Sequence, residues 1–462
     1  MPGYWSKSGP GREPMIKETE VLVVGGGPAG LLAAIRAARM GARVILLEKN
    51  KQPGKKLRIT GKGRCNVTNT GDVNSFIRQY GGQGAFLFGA FSRFFHPDIR
   101  RLLAEAGVET KEERGGRVFP AADQAYLVAE ALERLAAEAG AQIITGCRAR
   151  DLIILPVGTD QAPQTLGGAS GKAPGPMGKA AGAYIDDPWD ASEIRAEAVV
   201  LATGGLSYPA TGSTGDGYAW ATAAGHRITE LKPALVPLES PDRWVSDLSG
   251  LTLRNVKASL WNEGAKADGR GKLAEFQGEM LFTYFGLSGP IILSLSRYYP
   301  TDSRTNVQIH LDLKPALSAE VLDKRLLRDF QKYQKKLLPN AMTELLPRAL
   351  IPVVIESAGL GETRPAAELT RAERLRLGGT LKALPVRISG TRPMEEAIVT
   401  AGGVALNEID PKTMSSKKTA GLYIAGELLD LDGLTGGYNL QAAFSTGWVA
   451  GENAARQAGY TI

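Results

Sequence analysis

The stretch EVLVVGGGPAGLLAAIRAARMGARVILLEKN, residues 20–50, decides the fold. Val21–Val24 is an uninterrupted apolar run, the pattern of a strand buried on both faces. Three glycines follow, then an alanine-rich segment stopping at Gly41, which predicts a helix. Val44–Leu47 is a second buried run, ending in the acid Glu48. Strand, helix and strand make a βαβ unit. Within it, Gly25-x-Gly27-x-x-Gly30 lies between strand and helix, the context that gives this spacing its weight. Gly25 permits a tight turn, Gly27 lets backbone approach a pyrophosphate, and Gly30 lets the helix lie close on the strand. Pro28 and Ala29 open the helix, whose free N–H groups and partial positive charge attract an anion. Glu48, about twenty residues beyond the motif, can accept ribose hydroxyls of FAD or NAD and would repel a 2′-phosphate. Lys49 follows it as a further contact at the strand end.

The rest of the chain surrounds this unit. At 462 residues it exceeds the size at which one core usually divides, so two or three domains are expected. Residues 1–17 read as a flexible tail, with Met15 as an alternative start. Residues 18–230 read as the first part of a dinucleotide-binding domain, interrupted by a mobile excursion over 156–190 that is rich in Gly, Ala, Pro and Ser. From 231 to 392 the pattern changes to β-strands such as LTLRNVKASLW and NVQIHLDL, with helices predicted over 322–345 and 371–384. Buried strands ending in glycine resume in 393–462, so the β-rich and helical segment is inserted. The expected fold class is α/β: a Rossmann-like, doubly wound domain interrupted by that insertion.

Composition excludes several classes. Two cysteines, Cys65 and Cys147, make neither a secreted disulfide framework nor a CxxC redox pair and suit a reducing, cytoplasmic setting. No signal-peptide core and no membrane-spanning run is present. The three histidines are scattered without metal-ligand spacing, so no metal is expected. A net charge of +7 favours anionic partners, phosphates or RNA among them.

Late glycine turns choose FAD over NAD. VVLATGG carries Thr203 and Gly204, STGDGY carries Asp216, and GLYIAGELLDLDGLTGGYNLQAA carries Gly426, Glu427, Gly437, Asn439 and Leu440. A glycine pair before a helix start can point N–H groups at a flavin edge where negative charge builds on reduction. Contacts spread over several strand ends suit a long cofactor. ATGG, TGDG and AGE resemble succinate dehydrogenase and fumarate reductase flavoprotein subunits. KKLRITGKGRCNVTN, ERGGRVFP, GGLSYPATGSTGDGY, FTYFGLSGP and AGELLDLDGLTGGYNLQAA together resemble the BaiN/RdsA-like flavoproteins, also called aminoacetone oxidase family FAD-binding enzymes. The resemblance runs from about residue 20 to 451. It departs from the family at Lys62, where glycine is usual, and in the longer excursion. It implies FAD contacts from Asp216, Glu427, Asn439 and Leu440, and a substrate that is either a steroid-type enone or uridine in ribosomal RNA.

The loop TGKGRCNVTN, residues 60–69, is expected to run along the FAD. Lys55, Lys56 and Arg64 can neutralise phosphates, Gly61 and Gly63 can lie against the cofactor, and Asn66 and Asn69 can pin the loop by side-chain to backbone bonds. Cys65 has two readings: a small side chain filling space, or a proton donor whose pKa neighbouring cations lower. Tyr208 is a second candidate proton donor or a packing residue. Arg114 and Arg117 either grip an anionic substrate or are solvated turn residues, and Tyr284 and Ser288 are candidates for a lid over the flavin. The expected activity is FAD-dependent reduction of a C=C bond, with NADH or NADPH as transient reductant. Ribosomal RNA and a small enone are the alternative substrates. DKRLLRDFQKYQKK, residues 323–336, is a basic run with interleaved aromatics that suits RNA. An amine oxidase and an RNA-binding protein retaining FAD for structure are further alternatives.

Overall fold

The computed structural model describes residues 18–156, 178–186, 193–264, 271–300 and 306–461. The 1–17 tail with Met15 and most of the 156–190 excursion lie outside them. The chain divides into two units, Met1–Lys232 with Val399–Ile462, and Pro233–Ile398.

In the first unit, β1 (Glu18–Val24) and β2 (Val44–Glu48) pair in parallel, Val21 beside Val44 and Val24 beside Leu47. Helix α1 (Pro28–Arg39) connects them. Strand Glu193–Leu201 pairs in parallel with the other edge of β1, so β1 is central. The sheet continues through Gln142–Thr145 beside β2, and through Gly178–Asp186 and Thr419–Ala420 beyond Glu193–Leu201. Burial on both faces explains the continuous apolar runs of β1 and β2. The last helix, Tyr438–Gln457, lies on α1 through two small-residue contacts. A Cβ on Gly447 would come within 2.1 Å of Ala29 O, and one on Gly451 within 2.2 Å of Ala33 O. Both glycines are one helical turn apart, as are both alanines, so the two backbones approach along matching faces.

The excursion expected over 156–190 is corrected in part. Gly178–Asp186 is a strand, paired antiparallel with both Arg148–Pro156 and Glu193–Leu201. Its glycines and alanines read as low complexity, yet Ala180 and Ala183 are fully buried and a Cβ on Gly182 would meet Ile194 O at 2.0 Å. Crowding in the sheet, and not β-propensity, selects small residues there.

The second unit has its own apolar core beneath an antiparallel sheet. Thr252–Asn262 pairs with Lys272–Thr283 on one side and Val307–Asp312 on the other, and Leu384–Ile388 extends the sheet. Helices Ala319–Lys332 and Arg371–Lys382 pack into the same core. The helix expected over 322–345 ends at Lys332; a four-residue helix, Leu338–Ala341, restarts with Pro339 in its first turn, where a missing N–H costs nothing.

Candidate functional site

The glycine turn after β1 has a distinct job at each position. Gly25 has φ +106°, and a Cβ there would lie 2.5 Å from Ala202 O. A Cβ on Gly30 would lie 1.8 Å from Gly25 O, so only glycine lets α1 start this close to the turn. Gly27 is the opposite case, with nothing within 4 Å of an added Cβ. It precedes Pro28 at an α1 N-terminus that no side chain caps, so the helix's first N–H groups and partial charge face open space. At the end of β2, Glu48 Oε2 accepts the Gly26 N–H at 3.0 Å. Its Oε1 accepts from Asn50 N and Nδ2, both at 2.7 Å, which fixes the carboxylate beside the turn.

Two further turns converge on this region of the first unit. After Glu193–Leu201, Gly204 has φ +77° and Thr203 presents a buried hydroxyl with no hydrogen-bond partner among the described residues. Before the last helix, Gly437 has φ +94° and a Cβ there would meet Thr68 O at 2.4 Å. No side chain caps that helix either. An open glycine cradle, two uncapped helix starts, a fixed carboxylate and an orphaned buried hydroxyl fit a dinucleotide with a pyrophosphate and a ribose.

The loop Thr60–Asn69 is held as a strained arch. Gly61, Lys62, Gly63 and Cys65 all have φ between +58° and +84°. Cys65 N closes the arch on Thr60 O at 2.9 Å. Asn69 Nδ2 donates to Gly436 O at 2.9 Å and Gly115 O at 3.2 Å. With its amide oxygen turned to Gly437, Asn66 accepts that N–H at 3.0 Å and donates to Thr68 O and Val118 O. Both asparagines therefore tie the arch to the start of the last helix. Asn439 holds the preceding turn, bonding Gly433 N and O at 2.7 and 2.8 Å, while Leu440 packs on the core.

Several expected roles are corrected. Cys65 is fully buried, and that burial pushes its thiol up to about 12, so neighbouring cations do not lower it and no substrate reaches it. Cys147 is also buried, in the turn between strands Gln142–Thr145 and Arg148–Pro156. Arg64 does not point its charge at a phosphate; it pairs with Glu113 and Asp123 and lies over Phe119. Arg117 Nε donates to Arg114 O at 3.2 Å and its guanidinium also lies near Phe119, an arginine engaged by its own turn. Lys55 donates to Ala210 O at 2.7 Å.

Sequence reading missed how cations and acids pair. Lys56 Nζ meets Glu427 Oε2 at 2.7 Å, and Glu427 Oε1 accepts Ser207 Oγ at 2.7 Å and Thr400 N at 2.9 Å. Burial works to raise the Glu427 pKa, but the Lys56 charge and these donors outweigh it, and the carboxyl is held below its ordinary value. Thr400 Oγ1 in turn accepts Leu206 N at 2.8 Å, bracing the turn that carries Ser207. Lys49 pairs with Asp216 at 2.8 Å and Arg148 joins at 3.0 Å. Burial works to raise the Asp216 pKa, but Lys49, Thr214 and Arg148 together outweigh it, and the carboxyl is held below its ordinary value. Gly426 N donates to Thr446 Oγ1 at 3.0 Å. Tyr208 is half-buried with φ +51°, next to Ser207. Of this network, Lys49, Lys56, Asp216, Gly426 and Glu427 were marked by their motifs, while Ser207, Thr400 and the pairings themselves left no sequence signal.

Among the described residues no group of three or more His, Cys, Asp or Glu could hold a metal, and no helix is long and apolar enough to cross a membrane. Tyr284 is exposed in the second unit.

The family model described as "HI0933-like protein Rossmann domain" matches residues 19–161 and 178–453. The chain belongs to the HI0933-like family. Among curated relatives, the 3-dehydro-bile acid delta(4,6)-reductase of Clostridium scindens is 32% identical, over 94% of this chain and 98% of its own length. The ribosomal RNA dihydrouridine synthase of Haemophilus influenzae is 28% identical, over 96% of this chain and all (100%) of its own. A solved quinol-fumarate reductase aligns at 18% identity with a TM-score of 0.49, covering 96% of this chain and 72% of that one. This HI0933-like protein is an FAD-dependent oxidoreductase with a Rossmann-like fold.

Proposed function

We propose that this protein reduces a C=C bond conjugated to a carbonyl, with NADH or NADPH as the source of electrons and uridine in ribosomal RNA as substrate. The observation that carries the reaction type is the near full-length similarity to both a delta(4,6)-reductase and a dihydrouridine synthase, two names for saturating such a bond. FAD, when bound, would supply hydride chemistry to both half-reactions. Gly27 and the uncapped α1 start would hold its pyrophosphate, Glu48 its ribose, and the Thr203 hydroxyl would gain its missing partner. Lys49, Lys56, Asp216, Gly426 and Glu427 form the braced wall of that site. Gly61 and Gly63 carry the arch along it, and Gly437 with the backbone of Asn439 and Leu440 presents the second helix start. Tyr208 is our proton donor: its phenol is half-buried, not sealed like the Cys65 thiol.

Support for RNA comes from the second unit. Lys324, Arg328, Lys332, Lys335 and Lys336 are exposed along residues 323–336. Lys332 and Lys336 approach the Tyr333 ring at 4.6 and 4.3 Å, an aromatic set between cations as base-stacking surfaces are. A second reading, a small enone substrate, is favoured by the higher identity of the bile-acid reductase. With ribosomal RNA as substrate the protein would act in the cytoplasm. The test is dihydrouridine in ribosomal RNA, measured by mass spectrometry with and without the gene. It is paired with anaerobic re-oxidation of the reduced flavin by RNA or by a 3-oxo-4-ene steroid. Loss of one modified site on deletion, restored by purified protein, supports the RNA reading. Unchanged RNA with rapid re-oxidation by the steroid supports the enone reading. Oxygen uptake with aminoacetone, with neither, would refute both.

A further inference from the structure

The second unit contains a groove that none of the preceding chemistry uses. It encloses about 390 Å³ and lies between the start of strand Thr252–Asn262, the segment 313–317 and helix Ala319–Lys332. Its walls include Leu253, Leu313, Leu317, Leu346 and Leu350. Its charged lining residues are Arg254, Lys314 and Arg325, three cations and no acid.

The neighbouring carboxylates are committed elsewhere. Asp312, two positions before Lys314, is paired with Lys382 at 2.6 Å. Its Oδ1 accepts the backbone N–H of Lys314 at 2.9 Å. Lys382 also donates to the carbonyls of Lys314 and Leu317, which sets the segment in place. Asp329 is shared by Arg325 at 3.4 Å and Arg328 at 3.5 Å, one carboxylate for two guanidiniums. Lys314 is half-buried, and among the described residues neither its ammonium nor the Arg254 guanidinium has a carboxylate within salt-bridge distance. Burial lowers the Lys314 pKa and the Arg325 charge lowers it further, so the ammonium carries an electrostatic cost in the free protein. A bound anion removes that cost, and the leucine walls reward an apolar body attached to it.

We propose that this groove is a binding site for an organic acid, a single carboxylate or phosphate head on an apolar body. The head sits among Arg254, Lys314 and Arg325, and the body lies on the leucines. The volume suits a small molecule rather than a macromolecular surface. The reading does not depend on which C=C substrate the flavin site takes, because it rests on this groove's own residues.

Isothermal titration of the full-length, FAD-loaded protein tests it, with decanoate, decyl phosphate, decanol and inorganic phosphate as probes. Wild type should bind decanoate or decyl phosphate, and whichever binds more tightly names the head group. Lys314→Gln and Arg254→Gln should each weaken that binding at least ten-fold. Flavin content and far-UV circular dichroism should stay as in wild type. Because Arg254 is exposed, its variant remains informative even if Lys314→Gln folds poorly. Absence of binding by both decyl acids, or binding that both variants leave unchanged, overturns the proposal. Decanol binding as tightly as the acids removes the cationic head site, and inorganic phosphate binding as tightly removes the apolar one.

Discussion

Exchanging Glu427 for Gln separates one ion pair from the hydrogen bonds around it. Ser207 Oγ and Thr400 N both bond Oε1, whereas Lys56 bonds Oε2. A glutamine can keep its oxygen at the first position, which leaves its NH2 facing the Lys56 ammonium. The two side chains are 23% and 19% exposed, between the surface and the buried limits. An exposed pair contributes about 0–1 kcal/mol, and breaking a buried one costs about 3–5 kcal/mol. We therefore expect Glu427→Gln to cost about 2 kcal/mol. The same change should cost under about 0.5 kcal/mol when Lys56→Met is already present. Urea unfolding of flavin-stripped protein, run as a double-mutant cycle, measures the coupling. A coupling below about 0.5 kcal/mol would refute the assignment of this pair as the brace of the turn. The acid limb gives a second check. The folded Glu427 pKa lies below the ordinary 4.5. The pair's contribution is thus fully present above that value and is lost as pH falls through the folded pKa. The Gln variant should lack this loss.

Other perturbations are equally specific. Gly27→Ala adds a methyl to open space, so apoprotein stability should not change while FAD affinity, by fluorescence titration, falls at least ten-fold. Gly30→Ala drives a methyl into Gly25 O, and should cost about 3 kcal/mol or more in denaturant unfolding. With the Cys65 thiol held at about 12 by burial, only about one in 10,000 is ionised at pH 8, and native protein should resist a chromogenic thiol reagent that labels it at once in urea. Lys62 sits exposed at φ +58°, where a β-branched side chain is disfavoured. In calorimetry, Lys62→Val should lower stability by about 1–2 kcal/mol, and Lys62→Gly should cost nothing or gain slightly, because relief of the left-handed penalty offsets glycine's chain entropy. A Lys62→Gly variant that unfolds more readily than Lys62→Val would contradict this reading of the arch.

The dinucleotide turn was legible because most of what it needs is local, the close approach of Gly25 to Ala202 O apart. A tight turn at Gly25, a methyl-free approach at Gly27 and a close helix start at Gly30 are constraints among residues five positions apart, so they leave a fixed spacing. The buried strands were legible for a similar reason, since parallel pairing hides both faces and demands unbroken apolar runs. Strand Gly178–Asp186 was not legible, because its alanines are chosen by the crowding of neighbours that a linear reading does not see. Likewise the seating of Gly447 and Gly451 on Ala29 and Ala33 needs two helices far apart in the chain.

The site divides along the same line. The sequence by itself marked the glycine turns and the helix starts, because turn geometry and helix ends are properties of short segments. Only the tertiary structure decided their charge states and partners. Lys56 is separated from Glu427 by 371 positions, and Arg64 from Asp123 by 59. Lys56 and Arg64, read as cations open to phosphates, are each paired with carboxylates, and a cysteine read beside those cations is sealed away from them. Pairing and burial are set by three-dimensional distance and desolvation, and neither quantity is written in the order of residues.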